Sequence, residues 1–143
     1  MEKELPMNKQ DMVSIFQRII NESFNNQIFD ALSESFSPDY AEHQFGLSKT
    51  VEGMQEDIKG LHRSFPDFKL TIEDVMVEED TLWARMTARG TNTGGFMGPP
   101  NGKTFEASVF DVVRFKDGKI VDHWGVPDRF AIISQLGLLP SRT

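Results

Sequence analysis

The apolar residues of this chain change period once, and that change limits the folds open to it. Up to Ser64 they recur at helical spacing; beyond Phe65-Pro66-Asp67 they alternate. Met12, Val13, Phe16, Ile19, Ile20 and Phe24 predict a first helix over about Lys9 to Asn25, with Asn8 as its N-cap and Asp11 in its first turn. Phe29, Leu32 and Phe36 predict a short second helix, closed by Ser37-Pro38-Asp39. Residues 39–49 read as a short strand and a loop. Met54, Ile58, Leu61 and Phe65 then predict a third helix after Thr50.

In the second half, Phe68, Leu70 and Ile72 alternate with Lys69, Thr71 and Glu73. The parity flips to Val75 and Val77 after Asp74, which predicts a bulge. Leu82, Ala84, Met86 and Ala88 continue the alternation on a second strand. Two more strands, about 104–115 and 119–126, flank Lys116-Asp117-Gly118, a hairpin turn sequence. Asp128 to Leu139 is amphipathic. Helices first and long strands after predict an α+β domain, with helices on one face of a mostly antiparallel sheet. One domain is expected over residues 8–140, with a loose tail at 1–7.

Composition narrows the function. The formal net charge of −7 argues against nucleic acid and anionic membrane as partners, since both attract a basic face. With no Cys and three His, neither a thiolate nucleophile nor a metal-ligand spacing is expected. Met1 to Gln10 is polar and contains Pro6, which is unlike a signal peptide, so a cytoplasmic location is expected. Twelve Phe suit both a core and an apolar pocket.

Centring the hairpin on Asp117-Gly118 pairs Phe115 with Ile120, Val113 with Asp122 and Asp111 with Trp124. That register puts these six on one face and His123 on the other. Two carboxylates in apolar surroundings would titrate where a general acid or base works. Asp122 could instead lie at the sheet edge or pair with an Arg such as Arg85. A slip of one residue would swap the faces and bring His123 inward. His43, near Tyr40, reads equally as a pocket base or as a surface histidine. His62, between Leu61 and Arg63, is expected to face solvent. Phe96 and Met97, set among glycines and prolines, read as an apolar lip over a pocket mouth or as a local plug.

The stretch Gly90-Thr91-Asn92-Thr93-Gly94-Gly95-Phe96-Met97-Gly98, followed by Arg114-Phe115-Lys116-Asp117-Gly118-Lys119-Ile120-Val121-Asp122-His123-Trp124, resembles the SnoaL-like polyketide cyclase family, also called ester cyclases. Phe65-Pro66-Asp67 and Gln135-Leu136-Gly137 are similar to it too. The resemblance implies a cone-shaped α+β half-barrel of the nuclear-transport-factor-like kind, with about three N-terminal helices packed on its concave face around an internal pocket. It implies acid–base chemistry without a cofactor: an intramolecular aldol-type cyclisation, or an isomerisation, of a small apolar or aromatic carbonyl compound. Asp122 would be the acid or base, with Asp128 and His43 assisting. Trp124, Asp111, Phe96, Met97, Asn92 and Tyr40 would line the substrate site. Relatives are commonly dimeric, so a homodimer through the outer sheet face is expected. Two departures stand out: Asn92 where His often follows Gly-Thr, and Gly125 where an acid often follows Trp. The rival readings are a non-catalytic apolar-ligand or dimerisation domain and a ketosteroid-isomerase-like or dehydratase-like enzyme.

Overall fold

The computed structural model describes residues 7–140. The expected tail at 1–7 therefore lies, apart from Met7, outside the described residues. Helix α1 (Lys9–Arg18) begins where Asn8 accepts a hydrogen bond from the Gln10 N–H. It continues through a π-helical turn, Ile19–Phe24, rather than as one regular helix to Asn25. The wider turn buries Ile19, Ile20 and Ser23 together. Helix α2 (Asp30–Ser35) is followed by β1 (Phe36–Glu42). Phe36 and Ser37-Pro38-Asp39 thus belong to a strand, not to a helix and its stop. Pro38 is tolerated because β1 is an edge strand and its register with β5 is irregular between Phe36 and Ala41.

Helix α3 (Val51–Ser64) is capped by Thr50, whose hydroxyl accepts from the Gly53 N–H. Strands β2 (Lys69–Glu78), β3 (Thr81–Thr91), β4 (Thr104–Lys116) and β5 (Lys119–Pro127) then form an antiparallel meander, and α4 (Arg129–Gln135) follows. The five-stranded sheet has the order β1-β5-β4-β3-β2, with β1 parallel to β5. The bulge near Asp74 is present, as a register shift between Ile72 and Asp74.

The inner face of the sheet carries Leu82, Ala84, Met86, Val113, Phe115 and Ile120, all buried. Met12, Phe16 and Ile20 from the N-terminal helices and Met54 and Ile58 from α3 belong to the same core. Each of these side chains except Ala84 contributes roughly 1.5–3 kcal/mol by leaving water. His62 departs from its expected place. It is half-buried, its Nε2–H donates to the Phe24 carbonyl at 2.6 Å, and its ring meets Phe68 edge-on.

The loop after β3 docks on the end of α3. Phe96 packs its ring 5.1 Å from that of Phe65, while Met97 at the tip is exposed. A β-carbon on Gly94 would come within 1.6 Å of the Arg63 carbonyl oxygen. Gly94→Ala should therefore push the loop off α3 and destabilise the fold by about 1–3 kcal/mol, read as a lower urea midpoint.

Candidate active site

The hairpin between β4 and β5 decides which side chains face the core. Its turn is Asp117-Gly118, with φ of 52° and 79°, the two positive values a type I′ hairpin needs. Phe115 pairs with Ile120, as the sequence predicts. The next pair is Arg114 with Asp122, so Val121 is an extra residue on β5. A bulge of that kind inverts the parity of everything after it. Val113 now opposes His123, Val112 opposes Trp124, and Asp111 opposes Gly125. The expected faces are thereby exchanged: His123 and Gly125 point inward, whereas Asp122 and Trp124 point outward.

Four polar residues meet on the inner face. His123 is 5% exposed and lies between two carboxylates. Its Nδ1–H donates to Glu42 Oε2 at 2.6 Å and its Nε2–H to Asp111 Oδ2 at 3.2 Å. Glu42 also accepts from the Tyr40 hydroxyl at 3.1 Å and from the Gln44 backbone N–H at 3.0 Å. Burial alone would push the His123 pKa down. The negative charge of Asp111 and hydrogen bonds to Asp111 and Glu42 outweigh it and raise the value to about 10. His123 is therefore an imidazolium at neutral pH, and the cluster holds one fixed cation between two acids. Burial, with the Glu42 charge beside it, raises the Tyr40 pKa, so its phenol stays protonated and donating.

The two carboxylates are not equivalent. Glu42 accepts from three donors and its side chain is fully buried. Asp111 is held through Oδ2 alone, and its side chain is 9% exposed. Among the described residues, Asp111 Oδ1 has no hydrogen-bond donor. It faces the bare backbone of Gly125, where a β-carbon would sit 2.8 Å away.

Asp122 has a different setting. On the outer face it accepts from Arg114 Nε at 2.7 Å and from His43 Nε2 at 2.9 Å. Partial burial pushes its pKa up, but His43 and Arg114 together pull it below the ordinary carboxylate value. The partner is thus Arg114, not Arg85, whose ion pair is with Asp74. His43 stacks on Trp124 with ring centroids 4.6 Å apart. Asp128 caps α4, accepting from the Ala131 N–H at 3.0 Å. Asn92 is fully buried at the end of β3. Its Oδ1 accepts from the Gly95 N–H, but its Nδ2 has no partner among the described residues.

Of the residues singled out in the sequence, the structure brings Tyr40 and Asp111 together inside. It gathers Asp122, His43 and Trp124 outside, and leaves Asp128, Asn92, Phe96 and Met97 elsewhere. Glu42 is absent from the residues that the sequence singles out. The alternation of Tyr40 and Glu42 on a short strand is the signal that could have found it. Among the described residues, no cluster of three or more His, Asp or Glu is arranged to hold a metal ion. No helix among them is long and apolar enough to cross a membrane.

Known proteins share this architecture. The family model for the SnoaL-like polyketide cyclases matches residues 14–136. Nogalonic acid methyl ester cyclase of Streptomyces nogalater is 27% identical over 121 residues, covering 80% of this chain and 90% of that protein. Aklanonic acid methyl ester cyclase DauD of Streptomyces sp. (strain C5) is 29% identical over 109 residues, covering 74% of this chain and 66% of that protein. The solved structure of TsrD from Streptomyces laurentii has a TM-score of 0.83 at 26% identity, covering 93% of this chain and 99% of that one. A matched family model over most of the chain, on a sheet with helices on one side, places this chain in the SnoaL-like polyketide cyclase family.

Proposed function

We propose that this protein closes a ring in a small, largely apolar carbonyl compound by intramolecular aldol condensation, with Asp111 as the proton acceptor. The observation that carries the reading is the inequality of the two inner carboxylates. Both oxygens of Glu42 accept hydrogen bonds, from three donors in all, while Asp111 keeps one oxygen unoccupied over Gly125. That oxygen takes a proton from carbon next to a carbonyl. The C–H electrons become an enolate, and the enolate carbon bonds to a second carbonyl carbon of the same molecule. The alkoxide so formed recovers the proton from Asp111. His123 holds Asp111 in place and balances its charge, and Glu42 with Tyr40 holds His123. Asp122, paired with Arg114 and His43, is a weaker base than a free carboxylate and serves the outer face. The names of the relatives supply test substrates: nogalonic acid methyl ester and aklanonic acid methyl ester, incubated with the protein and followed for the cyclised isomer. No cyclised product from either would remove the reading.

The working unit is a homodimer joined through the outer sheet face. Phe110 is 53% and Val126 68% exposed there, and Met76, Trp83 and Trp124 are exposed beside them. They border a groove of about 390 Å³ that also contains the ion pair of Arg85 and Asp74. A patch holding both charge signs within an apolar field is self-complementary, which suits a two-fold interface. Light scattering should give twice the 16.3 kDa chain mass. Phe110→Glu should give the monomer, because each interface would then bury two unpaired carboxylates.

A further inference from the structure

Gln44 lies two residues beyond Glu42, the last residue of β1. Its backbone N–H is fixed on Glu42 Oε2 at 3.0 Å. Its half-buried side-chain amide has no hydrogen-bond partner among the described residues. The amide lies over Gly125. A β-carbon on residue 125 would meet Gln44 Oε1 at 2.1 Å, Gln44 Cδ at 2.9 Å and Asp111 Oδ1 at 2.8 Å. Glycine at 125 thus lets the ends of Gln44 and Asp111 come together against its bare backbone.

We propose that Gln44 is the substrate-oxygen donor of this site: its amide N–H binds the carbonyl oxygen of the group that Asp111 deprotonates, then holds the enolate oxygen. The inference rests on Asp111 as the base and adds to it. Removing a proton beside a carbonyl moves negative charge onto the oxygen, and a donor about 3 Å from that oxygen stabilises it. The donor must then sit within a few ångströms of the base. The neighbouring donors are spent: Tyr40 on Glu42, and both His123 nitrogens on Glu42 and Asp111. The Gln44 amide is free, and a half-turn of its terminal group exchanges oxygen for nitrogen at the same place.

Gln44→Leu keeps the bulk and removes the donor. On an ester that the wild type cyclises, it should lower kcat roughly a hundredfold or more with KM little changed. A side chain that merely fills space over Gly125 would leave both constants as they were, and that result overturns the proposal. A second measurement needs no turnover. Nogalonic acid methyl ester titrated into ¹⁵N-labelled protein should shift the Gln44 side-chain amide pair, assigned by its loss in Gln44→Leu. An unshifted pair also overturns the proposal. Asp111→Asn separates the two ideas. If it abolishes turnover while Gln44→Leu does not, the base stands and the donor falls. If Asp111→Asn retains turnover, the base itself falls.

Discussion

Asp111→Asn is expected to lower turnover of a cyclised ester by about a hundred- to ten-thousand-fold while leaving the fold intact. Asparagine fills the same volume, and its Oδ1 can still accept from His123 Nε2, so the inner cluster keeps its geometry. It cannot take a proton from carbon at neutral pH. The loss should therefore fall on kcat rather than KM, with the far-UV and near-UV circular dichroism unchanged. Asp122→Asn, made alongside, should stay close to the wild-type rate, because Asp122 faces outward and is spent on Arg114 and His43. Wild-type turnover in Asp111→Asn would make Asp111 a structural residue and return the search for a base to the remaining acids.

The second large effect concerns stability against pH. The folded His123 pKa is raised from 6.5 to about 10. A group raised on folding stabilises the native state fully below its unfolded pKa, and that contribution fades as pH climbs through the folded value. Stability measured by urea unfolding should hold up to about pH 6.5 and then fall progressively toward about pH 10, by a total on the order of 3–5 kcal/mol. His123→Gln should lose a similar amount at neutral pH, since two buried acids would be left without their cation. Its curve should also lack the alkaline fall, as no imidazolium remains to titrate. A wild-type curve that is flat across this range would mean that His123 is neutral in the folded protein.

Most of the architecture is legible in the sequence, because burial imposes a period on long elements. The amphipathic helices, the meander and the Asp117-Gly118 turn all follow from spacing and turn chemistry. The short segments are harder. Phe36 fits the last turn of a helix as well as the first residue of a strand, and its pairing with Ile120 is a contact across most of the chain. The site is legible by composition but not by face. Unbroken alternation through the hairpin gives the wrong faces, although Ile120-Val121 places two β-branched residues side by side. The same kind of break at Asp74 predicts a bulge, and the bulge is there. A break at Val121 as well brings His123 inward and sends Asp122 out. Glu42 is hidden for another reason: an acid at the end of a short strand looks like any solvated turn residue until its partner on β5 is known.

The extra residue on β5 has a further consequence for how this family member can vary. The sheet is a single layer, so Asp122 and Trp124 belong to one side of a partition while His123 and Gly125 belong to the other. Substitutions of the outward residues change the outer face, and those of the inward residues the inner cluster, with little conflict between them. The number of residues between Ile120 and Gly125 has no such freedom. Deleting or inserting one would exchange the two sets at a stroke, putting Arg114's carboxylate partner into the interior and the imidazolium outside. Along this strand, the length of the segment decides which side chains reach the interior.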